Sequence, residues 1–137
     1  MIRRMSHASV FVTNQDEALK FYLEKLGFEV RTDAKVGEDF RWLTVGPKDQ
    51  PDFELILMEP KPGMLMDEET VGQIRALVDK GVLGGGVFET RNCQKSYEEL
   101  KARGVEFLAP PMEQSWGIGA VFKDNSGNWF SLSQEKE

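Results

Sequence analysis

The chain is short of several things, and each shortage narrows what it can be. It has one cysteine, one histidine and no basic cluster. Cys93 alone cannot form an intramolecular disulfide, which fits a reducing compartment. It falls in the first turn of a predicted helix, where its pKa should drop somewhat, but no second histidine exists to activate it, so a structural role is expected. No window approaches the roughly 18 continuous apolar residues of a membrane span. The opening Met1-Ile2-Arg3-Arg4 leads into a strand pattern rather than a secretory signal, and a soluble, cytoplasmic protein without a membrane partner is expected. Seventeen Lys and Arg stand against 23 Asp and Glu, a net charge of -6 with no basic stripe, which argues against nucleic acid as a partner. An acidic surface would tolerate or attract a cationic small molecule. At 137 residues the chain suits one globular domain, or two half-size modules sharing a core, with no need for a disulfide or structural metal.

What is present repeats. Ala8, Val10 and Val12 alternate as in a strand packed on one face. Asn14 followed by Glu17 opens an amphipathic helix through Phe21, Tyr22 and Leu26, closed by Gly27. Three strands follow, about residues 28–33, 40–45 and 53–58, giving a β-α-β-β-β unit. A Pro/Gly/Met loop containing Met64, Leu65 and Met66 reads as core filling, with a lid or dimer contact as alternatives. Asp67-Glu68-Glu69 starts a connecting helix to Lys80 with the charge its dipole favours. The pattern then restarts: a strand over 85–90, a helix capped by Asn92 and ended by Gly104, and strands from Val105, at about 117–123 and at 129–133. Asn14 to Asn92 is 78 residues, Gly27 to Gly104 is 77 and Glu54 to Ser131 is 77, so the chain reads as a duplication with one deletion in the second helix. The modules span 1–60 and 83–137, joined by a linker with its helix at 61–82. Each would leave a sheet face bare, to be closed by the other module or by a partner chain.

Two stretches carry a family resemblance. His7-Ala8-Ser9-Val10-Phe11-Val12, with Ala18 to Tyr22 and Leu26-Gly27-Phe28, resembles the first module of the vicinal oxygen chelate superfamily of glyoxalase I, extradiol dioxygenases and bleomycin-resistance proteins. Asp124 to Leu132 resembles its terminal turn and last strand. The resemblance implies an α+β fold of tandem βαβββ modules, a curved mixed β-sheet cleft, and a homodimer. In metal-dependent members it also implies a divalent ion such as Zn, Ni, Mn or Fe, held by one residue from the first and one from the last strand of each module. His7 and Glu54 match in the first module. In the second, counting along the chain gives Gly85 and Ser131, which offer no imidazole or carboxylate, so the ligand set is incomplete.

His7 and Glu54 are therefore the candidate catalytic or orienting pair. A neutral His beside a partly buried carboxylate can act as a general base, and Glu54 lies in a strand apolar on both faces, so its charge requires a partner or a cavity. Glu89 shares the phase of Gly85 and Val87 and is expected near the cleft mouth. Trp42, Trp116 and Trp129 are expected over one open sheet face with Phe122, as a stacking wall for a flat, small-molecule ligand, with Ser131 in phase with Trp129. The run Gly81 to Gly86 leads into a strand and lacks Lys-Ser/Thr, which excludes a phosphate loop. The sequence favours a small-molecule-binding protein without a full metal site. The alternative is a metal-dependent enzyme of the glyoxalase or dioxygenase type acting on vicinal oxygens.

Overall fold

The computed structural model describes residues 1–63 and 65–137; the Met64 part of the loop expectation lies outside them. Alternating apolar residues followed by a capped helix give, in order, β1 (His7–Phe11), α1 (Gln15–Lys20), which runs into a π-helical turn (Phe21–Lys25), β2 (Glu29–Val36), β3 (Phe40–Gly46) and β4 (Glu54–Met58). After α2 (Glu68–Lys80) come β5 (Gly84–Glu89), α3 (Cys93–Ala102), β6 (Glu106–Gln114), β7 (Gly117–Lys123) and β8 (Trp129–Glu135). Asn14 and Asn92 cap their helices by accepting from the backbone N–H groups of Glu17 and Lys95. Asp67 caps α2 in the same way, accepting from Thr70. Among the described residues no helix is long and apolar enough to cross a membrane.

The strands form two mixed sheets, ordered β1-β4-β3-β2 and β5-β8-β7-β6. In each, the first strand of the module pairs parallel with the last, and the other pairings are antiparallel. That pairing brings the two ends of a module side by side, so residues about 47 positions apart become neighbours: His7 faces Glu54 and Gly84 faces Trp129.

Register makes the duplication explicit. Glu29 pairs with Gly46 and Glu106 with Lys123, a constant offset of 77, and both ladders slip at the same place, after Val30 and after Phe107. The offset changes where residues have been inserted. A slip between Gly84 and Gly86 adds one residue to the second copy. The first copy absorbs one in its π-helical turn, where the Phe28 N–H reaches back six residues to Tyr22 while Val105 reaches back five to Leu100. The turn between β3 and β4 (47–53) is two residues longer than that between β7 and β8 (124–128), so β4 and β8 correspond with an offset of 75.

The strand faces bearing Val10, Val12, Leu55 and Leu57 in one module, and Ala120, Phe122, Phe130 and Leu132 in the other, share a single core with Tyr22 and Val105. Phe88 stacks on Phe130 at 4.7 Å and meets Phe28 of the first module edge-on at 5.3 Å. The opposite face of each sheet is left open. Phe40 (41% exposed), Val87 (67%), Trp116 (50%) and Trp129 (37%) lie out there, more apolar surface than an uncovered sheet normally presents.

Candidate functional site

On the open face of the first sheet, adjacent strand positions place the His7 and Glu54 side chains together. His7 Nε2 lies 3.0 Å from Glu54 Oε2, with the side chains 33% and 27% exposed. The other carboxylate oxygen, Oε1, accepts from the hydroxyl of Thr44 at 2.7 Å and, more weakly, from Thr32 at 3.4 Å. Ser6 Oγ sits 2.7 Å from His7 Nδ1. Hydrogen bonding from Thr44, followed by the favourable field of His7, holds the Glu54 carboxyl below its ordinary range against the opposing effect of burial. The Trp42 ring stands 6.0 Å from the imidazole and Phe40 a further 6.3 Å from Trp42. The corner thus offers a fixed carboxylate, a half-exposed imidazole and an aromatic wall. Ser6, Thr32 and Thr44 were missed in the sequence. The signal for Thr44 was its phase, two residues after Trp42 on the same face.

The open face of the second sheet is built differently. The structural counterpart of the His7–Glu54 pair is Gly84–Trp129, by the same register pairing. This corrects the expectation of Gly85 and Ser131: constant spacing along the chain ignored the slip after Gly84 and the longer turn before β4. The indole of Trp129 lies across Gly84, so close that a Cβ there would sit 2.6 Å from the ring, and Trp116 lies across Gly119 in the same manner at 2.9 Å. Each glycine is thus a seat for an indole. Between them run Ser131, paired with Val87 and Val121, and Ser133, paired with Glu89 and Gly119.

The three tryptophans are therefore split between two sheets, one on the first and two on the second, rather than gathered over one. Phe122 does not belong with them. It is 1% exposed and stacks on Phe130 in the core, because β7 turns Ala120 and Phe122 inward and Gly119 and Val121 outward. Cys93 is also corrected: burial pushes its thiol up rather than the helix start drawing it down, and Sγ donates to the Leu132 carbonyl at 3.7 Å. Leu65 is exposed rather than core filling.

The donor set can be tested against the ion that this kind of fold implies. His7 and Glu54 are two donors, and their counterparts Gly84 and Trp129 add none. Among the described residues no group of three or more His, Cys, Asp or Glu side chains is placed to hold an ion. A catalytic transition-metal site normally takes at least three protein donors, so the residues of one chain do not fit a resident metal centre.

A duplicated βαβββ chain with a shared core and two open sheet faces defines the class. The chain belongs to the Glyoxalase/Bleomycin resistance protein/Dioxygenase superfamily, whose family model matches residues 4–132. Among solved structures it is similar to UcmS2, with 48% identity, 98% of this chain and 100% of that one covered, and a TM-score of 0.93. It is also similar to TnmS3, an antibiotic binding protein from Streptomyces sp. CB03234, with 31% identity, 98% of each chain covered and a TM-score of 0.76. The YurT protein of Bacillus subtilis (strain 168) is 37% identical over 128 residues, 93% of this chain and 95% of that protein.

Proposed function

We propose that this protein binds a small organic molecule, flat and aromatic or cationic, on its open sheet faces and holds it without a resident metal ion. The observation that carries this reading is the pair of indoles laid over Gly84 and Gly119, which turns the second module's chelating corner into a stacking surface. His7 and Glu54 then fix the ligand's orientation through the imidazole and the carboxylate. Glu89, on the edge strand of the second sheet, adds negative charge for a cationic ligand. The similarity to TnmS3 supports binding over catalysis.

Neither open face is covered by the other module, so the reading includes a cytoplasmic homodimer in which the first-module face of one copy opposes the second-module face of the other. Tryptophan fluorescence titrated with planar cations, dicarbonyls and catechols tests it. Saturable quenching by a planar compound is expected, weakened about tenfold or more in Trp129→Ala, in keeping with a buried aromatic anchor. A flat signal across the panel would overturn the binding role. The metal-free part is tested by titrating Zn, Ni, Mn and Fe into the protein: micromolar binding abolished by His7→Ala would revive the metal-dependent alternative.

A further inference from the structure

The two modules meet along two seams related by the duplication, and the seams are not alike. At the first, the turn of residues 124–128 is latched onto β1 and the helix that follows it. Tyr22 donates its hydroxyl proton to Asp124 Oδ2 at 2.7 Å, Asn128 Nδ2 donates to the Phe11 carbonyl at 2.7 Å, and the Thr13 N–H donates to Ser126 Oγ at 3.0 Å.

The second seam brings the turn of residues 47–53 against β5 and α3, and among the described residues none of those three hydrogen bonds has a counterpart there. Leu100 stands where Tyr22 does, each accepting the N–H that begins the next segment. Pro47 follows β3 as Asp124 follows β7, and Phe53 precedes β4 as Asn128 precedes β8. Glu89 takes the place of Phe11, and among the described residues no side chain of the turn donates to its carbonyl. The turn is tied to its own sheet instead, by the Arg31 guanidinium donating to the carbonyls of Pro47 at 2.7 Å and Gln50 at 3.2 Å.

An unlatched seam leaves space. A cavity of about 620 Å³ opens there, with Phe28, Phe88 and Leu100 among its apolar lining and Asp49, Glu89 and Glu99 among its polar lining. Arg103, the cation of this lining, has its guanidinium engaged by the Lys25 carbonyl at 2.9 Å. The volume falls within the range of about 300–1,000 Å³ of small-molecule sites, which favour boundaries between structural units.

We infer that the second seam is a binding site in its own right, meeting the open face of the second sheet only along its edge strand at Val87 and Glu89, for a small amphipathic cation whose apolar body lies on the aromatic floor and whose charged head meets the carboxylates. The asymmetry between seams gives a specific test. The probe is 4-(dimethylaminostyryl)-N-methylpyridinium, a cation whose emission rises when an apolar site confines it. Saturable enhancement is expected, with amide ¹H–¹⁵N shifts at Glu89, Thr90, Glu99 and Leu100. Copying the latch across with the double substitution Pro47→Asp, Leu100→Tyr should weaken binding about tenfold or more, as should Glu99→Lys, a charge reversal at an exposed helix position that leaves folding intact. If the latch variant does not fold, Glu99→Lys and the wild-type shifts decide. No saturable signal at millimolar probe would overturn the site, as would an affinity unchanged by Glu99→Lys. Shifts confined to Trp116, Trp129 and Ser131 would also overturn it while leaving the open-face reading standing.

Discussion

Glu54 shows how little of a site one residue supplies. Its charge is held by a hydroxyl from β3, a second from β2 and an imidazole from β1, so four strand positions cooperate in keeping one carboxylate ionised and aimed. Thr44→Val removes the largest of these effects with almost no change in shape. The Glu54 carboxyl should then titrate closer to its ordinary 4.5, a rise that side-chain carbon NMR reads directly. A carboxyl lowered in the folded state stabilises above its unfolded value and loses that contribution as pH falls through the folded one. The variant should accordingly lose less stability on acidification than the parent. Tyr22 behaves with the opposite sign. Burial first, then the Asp124 charge, raises its phenol well above 10.0. Below pH 10.0 both folded and unfolded chains hold the proton. Above it the unfolded chain releases its proton first, and stability falls with rising pH. Tyr22→Phe should abolish that alkaline slope and cost about 1.5–3 kcal/mol at neutral pH for the lost hydrogen bond to a charged acceptor, both measurable by urea unfolding across a pH series.

The glycines that begin β5 divide their duties by face. Gly85 points at the core, where an added Cβ would lie 2.2 Å from the Phe130 ring, and Gly84 points at the open face beneath Trp129. Gly85→Ala must therefore push a packed aromatic and should destabilise by about 1–3 kcal/mol, the ordinary cost of overpacking. Gly84→Ala only lifts a partly exposed indole; it should leave unfolding within about 1 kcal/mol of the parent but shift Trp emission and weaken ligand quenching. If Gly84→Ala quenches like the parent, the seated indole is not the stacking surface. Most elements were legible in the sequence because caps and alternation are local signals: α2 starts at the acidic Asp67-Glu68-Glu69 run and ends at Lys80 as expected, and α3 starts after Asn92 and stops just before Gly104. The π-helical turn, the slip at the start of β5 and the two-residue difference between turns were not. Each is a small insertion visible only through the hydrogen bonds around it, and together they misassigned the second-module counterparts of His7 and Glu54.

At the scale of the whole molecule, one core joins the two helix-covered faces and leaves both outer faces bare. On the proposed homodimer, in which a second copy covers these faces, sedimentation should show a species of twice 15.6 kDa. Val87→Lys, which places a charge on the exposed edge strand of the second open face, should shift it toward the monomer and weaken ligand quenching with it. A wild-type monomer at micromolar concentration would contradict the dimer. The latched and unlatched seams belong to this scale too, since neither exists within a single module.

By itself the sequence determined the duplicated α+β plan, because strand phase and helix caps are written in short-range patterns, and its family resemblance implied that His7 lies beside Glu54. It did not decide which side of β7 carries Phe122, which residues oppose the His7–Glu54 pair in the second copy, or that one seam is closed and the other hollow. Those depend on register and on the packing of one module against the other, where a shift of a single residue exchanges core for solvent and no local pattern records it.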